Sequence, residues 1–323
     1  MEKEFHNSRR NFLGILATGS AALALPTPSV AAIARPQKKQ EPISLHVFSK
    51  HLQFLDYDHA AEAVAEIGFD GVDLAVRPKG HVLPENVATD LPRAVEAIKK
   101  QGLQAKMMTT ALVDPDVGHN KKLLQTASEL GIQYYRTNWL KYPDQVNIPD
   151  FLNDCKKKLD KLAHFNQKLG LYGSYQNHSG RHYMGAPIWD LAKVLTEINS
   201  PHLGNQYDIR HATVEGGQAW PISLQFIQPH INTLVIKDFR WEKVNGKWSV
   251  YNTPIGEGMV DFKTFFSLLK QMNISGPMSV HYEYPMPEEN RQLSEKEKLS
   301  RTKEVMKKDL DEIRKLLKEA GLS

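Results

Sequence analysis

Eight times in succession the chain passes from a short apolar, strand-like run into an amphipathic helical pattern, which restricts it to a parallel sheet covered by helices. The first four units pair Ser44 to Phe48 with Tyr57 to Ile67, Gly71 to Leu74 with Leu91 to Gln101, Ala105 to Thr109 with Lys121 to Leu130, and Tyr134 to Thr137 with Phe151 to Leu169. The second four pair Leu171 to Tyr175 with Ile188 to Ile198, Leu203 to Tyr207 with Pro221 to Gln228, Thr233 to Ile236 with Phe262 to Gln271, and Pro277 to Tyr282 with Glu295 to Leu317. Gly68, Gly102, Gly131 and Gly170 each stand between a helix end and the next strand, where a helix needs its terminal turn. An open doubly wound sheet usually needs fewer such units. The expected fold is α/β, a single (β/α)8 TIM barrel.

The amino terminus bears on the compartment. Ser8-Arg9-Arg10-Asn11-Phe12-Leu13 precedes an uncharged stretch from Phe12 to Pro26 rich in Ala, Leu and Gly, the pattern of a twin-arginine export signal. Its apolar core is about half of the roughly 20 residues that a membrane span needs, and small residues around Ser29-Val30-Ala31 and Ala32-Ile33-Ala34 offer cleavage sites. The expected organisation is a signal over residues 1–34, a polar linker over 35–41 and the barrel over 42–323. The folded part is thus expected in the periplasm, with the twin-arginine machinery as an export partner and no stable membrane span after cleavage. An uncut N-terminal anchor is the alternative.

Of the formal charge of +4, the segment to Ala34 contributes Lys3, Arg9 and Arg10 against Glu2 and Glu4, leaving +3 for the remainder. So mild a charge argues against nucleic acid as a partner. Cys155 is the only cysteine, so no intramolecular disulfide can form, and its helical context suggests a packed or surface thiol with no catalytic role.

Four of the apolar runs end in residues that hold metals or move protons: Gln176-Asn177-His178, Asp208 followed by His211, Lys237-Asp238, and His281-Tyr282-Glu283. In a parallel barrel these fall at the carboxyl ends of strands, the edge where such folds build active sites. Lys237 follows Leu234, Val235 and Ile236; partial desolvation would suit it as a general base or carbonyl-polarising group, and a salt bridge to Asp208 or Glu283 is the structural alternative. The first half adds Arg77 and His81 after the second strand, and Arg136 and Trp139 after the fourth. Guanidinium forks suit hydroxyl pairs and oxyanions, and aromatic faces stack on sugar rings. Between the seventh strand and its helix, Asn245-Gly246 signals a two-residue hairpin whose aromatic arms, Trp241 among them, either wall the barrel mouth or pack outward.

The run from Gly68 to Leu74, Asn177-His178, Tyr207-Asp208 with His211, Lys237-Asp238, Gly256-Glu257-Gly258 and Glu283 together resemble the sugar phosphate isomerase/epimerase superfamily, with its xylose isomerase-like barrel. The resemblance spans nearly all of the chain after the signal. It implies a divalent metal, of the Mn, Mg, Zn or Co kind, held after strands five to eight. Asp208 and Glu283 match that pattern, whereas Gln176 stands in place of a Glu and Val235 in place of a His. A Gln oxygen can coordinate a hard cation but brings no charge and accepts no proton. His178 and His211 lie close enough in sequence to turn inward as substitutes, giving an expected ligand set of Gln176, Asp208, His211 and Glu283.

The expected function is an exported, metal-assisted isomerase, epimerase or lyase acting on an unphosphorylated sugar, keto sugar or glycoside. Glu283, Lys237 and His178 would be its catalytic residues, and Arg77, His81, Arg136, Trp139, Asp238 and Trp241 its substrate contacts. A non-catalytic sugar-binding barrel that has lost its metal is the competing class. An endonuclease on abasic DNA, also found in the superfamily, conflicts with the export signal and the near-neutral charge. Oligomeric state is not legible in the sequence.

Overall fold

The computed structural model describes residues 41–322. The expected signal over 1–34 and all but Glu41 of the expected linker lie outside the described residues. Eight parallel strands close into a barrel: β1 (Ser44–Phe48), β2 (Gly71–Ala75), β3 (Gln104–Thr109), β4 (Tyr134–Arg136), β5 (Tyr172–Gln176), β6 (Leu203–Asp208), β7 (Ile231–Ile236) and, last, β10 (Pro277–Val280). β10 returns to pair with β1 through Ser44↔Pro277 to Val47↔Val280, which closes the ring and leaves no edge strand. Between β7 and the next helix, β8 (Asp238–Val244) and β9 (Lys247–Thr253) form a separate antiparallel hairpin.

The helices are α1 (Tyr57–Ile67), α2 (Val87–Lys100), α3 (Asn120–Glu129), α4 (Ile148–Leu169), α5 (Trp189–Ile198), α6 (Ile209–Gly216), α7 (Trp220–Ile227), α8 (Phe262–Gln271) and α9 (Glu295–Ala320). Their ends follow local chemistry. Asp56 caps α1 by accepting the His59 amide, and Ser294 with Glu297 forms a capping box at α9. Gly68, Gly102, Gly131 and Gly170 all take positive φ, as their positions in the sequence predict. One helix was not foreseen: α6 begins directly after Asp208, whose side chain accepts the His211 amide and caps it. Cys155 is buried in α4. No helix among the described residues is long and apolar enough to cross a membrane.

The strands are buried on both faces, with Leu, Val, Ile and Phe packed beneath the helices. The barrel interior is partly polar. Asp73 of β2 accepts Thr109 Oγ1 at 3.0 and 3.1 Å and Ser279 Oγ at 2.6 Å. His281 Nε2 approaches Asp73 to 3.8 Å.

Candidate functional site

A repeated dyad places the site. At four strand ends a Tyr is followed by a polar residue: Tyr135-Arg136, Tyr175-Gln176, Tyr207-Asp208 and Tyr282-Glu283. Each Tyr is buried under the outer layer. Tyr135 Oη donates to Asn166 of α4, Tyr175 Oη to the Met184 carbonyl, Tyr282 Oη to the Met306 carbonyl of α9, and Tyr207 stacks on Phe265 of α8. Successive side chains alternate across a strand, so an outward Tyr turns the next residue inward. Ile236 and Lys237 repeat the pattern at the end of β7.

Asp208, with no exposed surface, and Lys237, 4% exposed, form the centre. Lys237 Nζ donates to Asp208 Oδ2 at 2.9 Å and to His211 Nε2 at 2.8 Å. Gln176 Nε2 donates to the same Asp208 oxygen at 2.7 Å, while Gln176 Oε1 accepts from Arg136 at 3.2 Å. These partners fix the orientation of the amide, since a carboxylate needs a donor and a guanidinium an acceptor. Asp208 Oδ1 accepts the His211 amide at 3.0 Å. Asn177 staples the two strand ends, donating to the Asp208 carbonyl at 3.0 Å and accepting the Asp208 amide at 2.8 Å.

Both ring nitrogens of His211 face donors: Nε2 lies 2.8 Å from Lys237 Nζ, while Nδ1 lies 2.8 Å from an Arg210 nitrogen and 2.8 Å from Ser179 Oγ. Arg210 donates to the same Ser179 oxygen at 3.1 Å. Burial pushes the His211 imidazole well below its ordinary pKa, and Lys237 adds to the shift. His178 lies against His211, ring centroids 4.0 Å apart, and is flanked by Trp139 at 4.7 Å and Tyr183 at 4.4 Å. Its Nδ1 donates to the Ser179 carbonyl at 2.8 Å, leaving Nε2 with the lone pair. Burial, with Lys237 next, lowers His178 to about 4.

Arg136 stacks on Trp139 at 4.3 Å and is lowered to about 10 by burial and then by Arg77, whose guanidinium lies over Phe48 at 5.5 Å. Burial alone would raise the Glu283 carboxyl, but Lys237, Lys50 and His281 outweigh it and hold Glu283 at about 2. Lys50 is 3.7 Å away. A carboxylate held so low binds cations and hydroxyls well and is a poor proton acceptor near neutral pH.

Three expected substrate contacts have other positions. Asp238 faces away from the cluster: Oδ1 accepts the amides of Phe239 and Val260 at 2.8 and 3.1 Å, and Oδ2 those of Gly256 and Gly258 at 3.0 and 2.9 Å. This gives Gly256-Glu257-Gly258 its physical meaning, because a β-carbon at Gly258 would fall 2.2 Å from Asp238 Oδ1. His81 bonds the Leu55 carbonyl at 3.0 Å and packs on Tyr57, lining a separate pocket beside α1. Trp241, 40% exposed, lies on the hairpin against Phe239. The hairpin turns at Asn245-Gly246, both with positive φ, as expected for a two-residue loop. What the hairpin does bring to the site is Asn252, which accepts from Arg210 and donates to the Glu283 carbonyl at 3.1 Å.

As arranged, Gln176, Asp208, His211 and Glu283 do not fit a divalent ion. Both Asp208 oxygens, Gln176 Oε1 and His211 Nε2 are taken by protein donors, and one of those donors is a lysine. Among the described residues, the group that gathers three His or carboxylate ligand atoms within 4.8 Å of one another is His51, Glu288 and Glu289, at the loops after β1 and β10. His51 Nδ1 pairs there with Glu288, and Nε2 lies 2.6 Å from the Tyr282 carbonyl.

The buried imidazoles give the fold a pH dependence. His46 is lowered to about 4, chiefly by burial, as is His178; His81, His211 and His281 are lowered as well. A depressed pKa means that the unfolded chain binds more protons below about 6.5, so the stability these groups confer is present above that pH and declines toward 4. Asp309, raised to about 6 by burial, acts in the opposite sense as a single group. Unfolding midpoints should therefore fall between pH 6.5 and 4, and His46→Gln should flatten the decline by up to about 3 kcal/mol. A profile with no slope across that window would contradict this assignment.

The description "Xylose isomerase-like TIM barrel" matches residues 61–308, and the chain belongs to that family. No curated protein sequence matches it. Among solved structures, D-allulose 3-epimerase from Methylomonas sp. in complex with D-allulose is 16% identical, covers 85% of this chain and 97% of its own, and has a TM-score of 0.62. The 3-keto-D-glucoside 4-epimerase from E. coli is 14% identical over 84% and 99%, with a TM-score of 0.63. A xylose isomerase-like TIM barrel protein from Mycobacterium smegmatis in complex with magnesium is 14% identical over 87% and 98%, with a TM-score of 0.61. At these identities the likeness is one of fold.

Proposed function

We propose that this xylose isomerase-like barrel is a carbohydrate-acting enzyme that moves a proton on the carbon beside a sugar carbonyl, as isomerases, epimerases and lyases do. We place it in the periplasm, exported by the twin-arginine route, which fractionation of the producing cell would check. The observation that carries the reading is the buried Asp208–Lys237–His211 cluster lying beside His178, whose ring is walled by Trp139 and Tyr183. The folds of a D-allulose 3-epimerase and a 3-keto-D-glucoside 4-epimerase support the substrate class.

The arrangement supplies complementary roles. Trp139 and Tyr183 offer faces for a sugar ring, and Arg136 and the Glu283 anion offer partners for hydroxyls. His178 carries its lone pair on Nε2 and is the base placed to take the proton from the carbon next to the carbonyl. Burial that lowers it to about 4 makes it a weak base, so the step relies on stabilising the negative charge that develops on the carbonyl oxygen. The electron pair moves toward the carbonyl oxygen as the proton leaves. Gln176 can neither accept nor return a proton, which favours a single base and elimination of a neighbouring substituent over exchange between two bases.

The test is incubation with unphosphorylated ketohexoses and 3-keto-glycosides in D2O, following deuterium incorporation and product by NMR. His178→Gln should slow exchange by about 10²–10⁴-fold while sugar binding persists. Saturable sugar binding with no exchange and no product in the wild type would instead establish the sugar-binding barrel.

A further inference from the structure

The same cluster allows a more specific statement, which rests on the site assignment above. We propose that the Lys237 ammonium takes the position that a divalent ion would occupy between Asp208 and His211, and serves as the built-in cation that polarises the sugar carbonyl. Its Nζ is within hydrogen-bond distance of an Asp208 oxygen and of His211 Nε2, two of the four groups expected to ligate a metal.

The third group is turned the wrong way for ligation, since Gln176 directs its nitrogen at Asp208 and gives its oxygen to Arg136. A Glu at 176 would press a second carboxylate against Asp208 and need a cation between them; Gln removes that need and bonds Asp208 directly. The charges agree with this arrangement. Lys237 already supplies positive charge to Asp208 and, beyond it, to Glu283, and a divalent ion beside this buried lysine would face like-charge repulsion from it, with Arg136 and Arg210 nearby. Val235, in register with Asp208 and fully buried, supplies an apolar side chain where the resemblance leads one to expect a His ligand.

An ammonium carries three N–H groups, and Asp208 and His211 take two. The third is free to donate to a carbonyl oxygen and to hold the negative charge that develops there when the neighbouring carbon loses its proton.

Titration of the purified full chain with Mn²⁺ and Mg²⁺ by calorimetry, together with elemental analysis, reads this directly and needs no substrate. The wild type should bind no ion at the cluster and should keep its exchange activity in EDTA. The triple variant Gln176→Glu/Val235→His/Lys237→Ala should gain Mn²⁺ affinity by about 100-fold or more. A stoichiometric divalent ion in the wild type that is lost in Asp208→Asn would overturn the proposal, whether or not the triple variant folds. An ion that survives Asp208→Asn but is lost in Glu289→Gln would belong to the His51 group and leave Lys237 as the cation of the cluster. If the titration behaves as expected but no keto sugar is exchanged or bound, the carbohydrate reading fails and the charge replacement stands.

Discussion

Asp208→Asn is expected to destabilise the fold by about 3–5 kcal/mol, the usual cost of leaving one member of a buried ion pair without its partner. Lys237 is 4% exposed, so little water is at hand to replace the lost carboxylate. The asparagine amide offers no relief. Placed at Oδ2 its NH₂ meets the donors of Lys237 and Gln176, and placed at Oδ1 it meets the His211 amide at the start of α6. A lowering of Tm by about 10 °C is expected by calorimetry. Exchange activity should fall as well, since Lys237 and His211 lose their common anchor. The double variant Asp208→Asn/Lys237→Met should be less destabilised than Asp208→Asn alone, because it removes the stranded charge. Additive losses in that cycle would show that the pair is not coupled.

Asp238→Ala should cost a similar amount, about 3–5 kcal/mol, for a different reason. Its carboxylate, 2% exposed, accepts four backbone amides, those of Phe239, Gly256, Gly258 and Val260. A buried amide left without a partner costs about 1–3 kcal/mol, and entering water recovers part of the total. The loop carrying Gly256 to Val260 ties the foot of the hairpin to α8, so its loosening should raise protease cleavage between Phe239 and Phe262. A substrate contact would behave otherwise: an Asp238→Ala protein of unchanged Tm with a raised KM would restore the role expected for it from sequence.

Much of the barrel is legible in the sequence because its elements are specified locally. Strand ends such as Tyr207-Asp208 and Tyr282-Glu283 encode both an outward anchor and an inward polar group, since side chains alternate along a strand whatever surrounds it. The dyad is visible in the sequence, although it has meaning only once the strands are assigned, and it identifies Arg136 and Gln176 by the same rule. Asn245-Gly246 and the glycine helix ends are local in the same way, because positive φ is a property of one or two residues.

The partners of those inward groups were decided by tertiary structure. Gln176 meets Asp208 across 32 positions, Lys237 meets His211 across 26, and Ser279 meets Asp73 across 206. No periodicity relates such pairs; pairing of β5 with β6 and of β6 with β7 brings the first two together, and closure of the barrel between β10 and β1 the third. Lys237-Asp238 shows the division within one dipeptide. The sequence places both residues at the end of β7, but alternation sends Lys237 to the carboxylate of Asp208, and Asp238 to the amide of its neighbour Phe239 and to three amides of a loop about 20 residues further on. Local sequence thus fixed the positions and faces of the polar groups, while the hydrogen bonds available on each face, set by packing of distant segments, determined what each group holds.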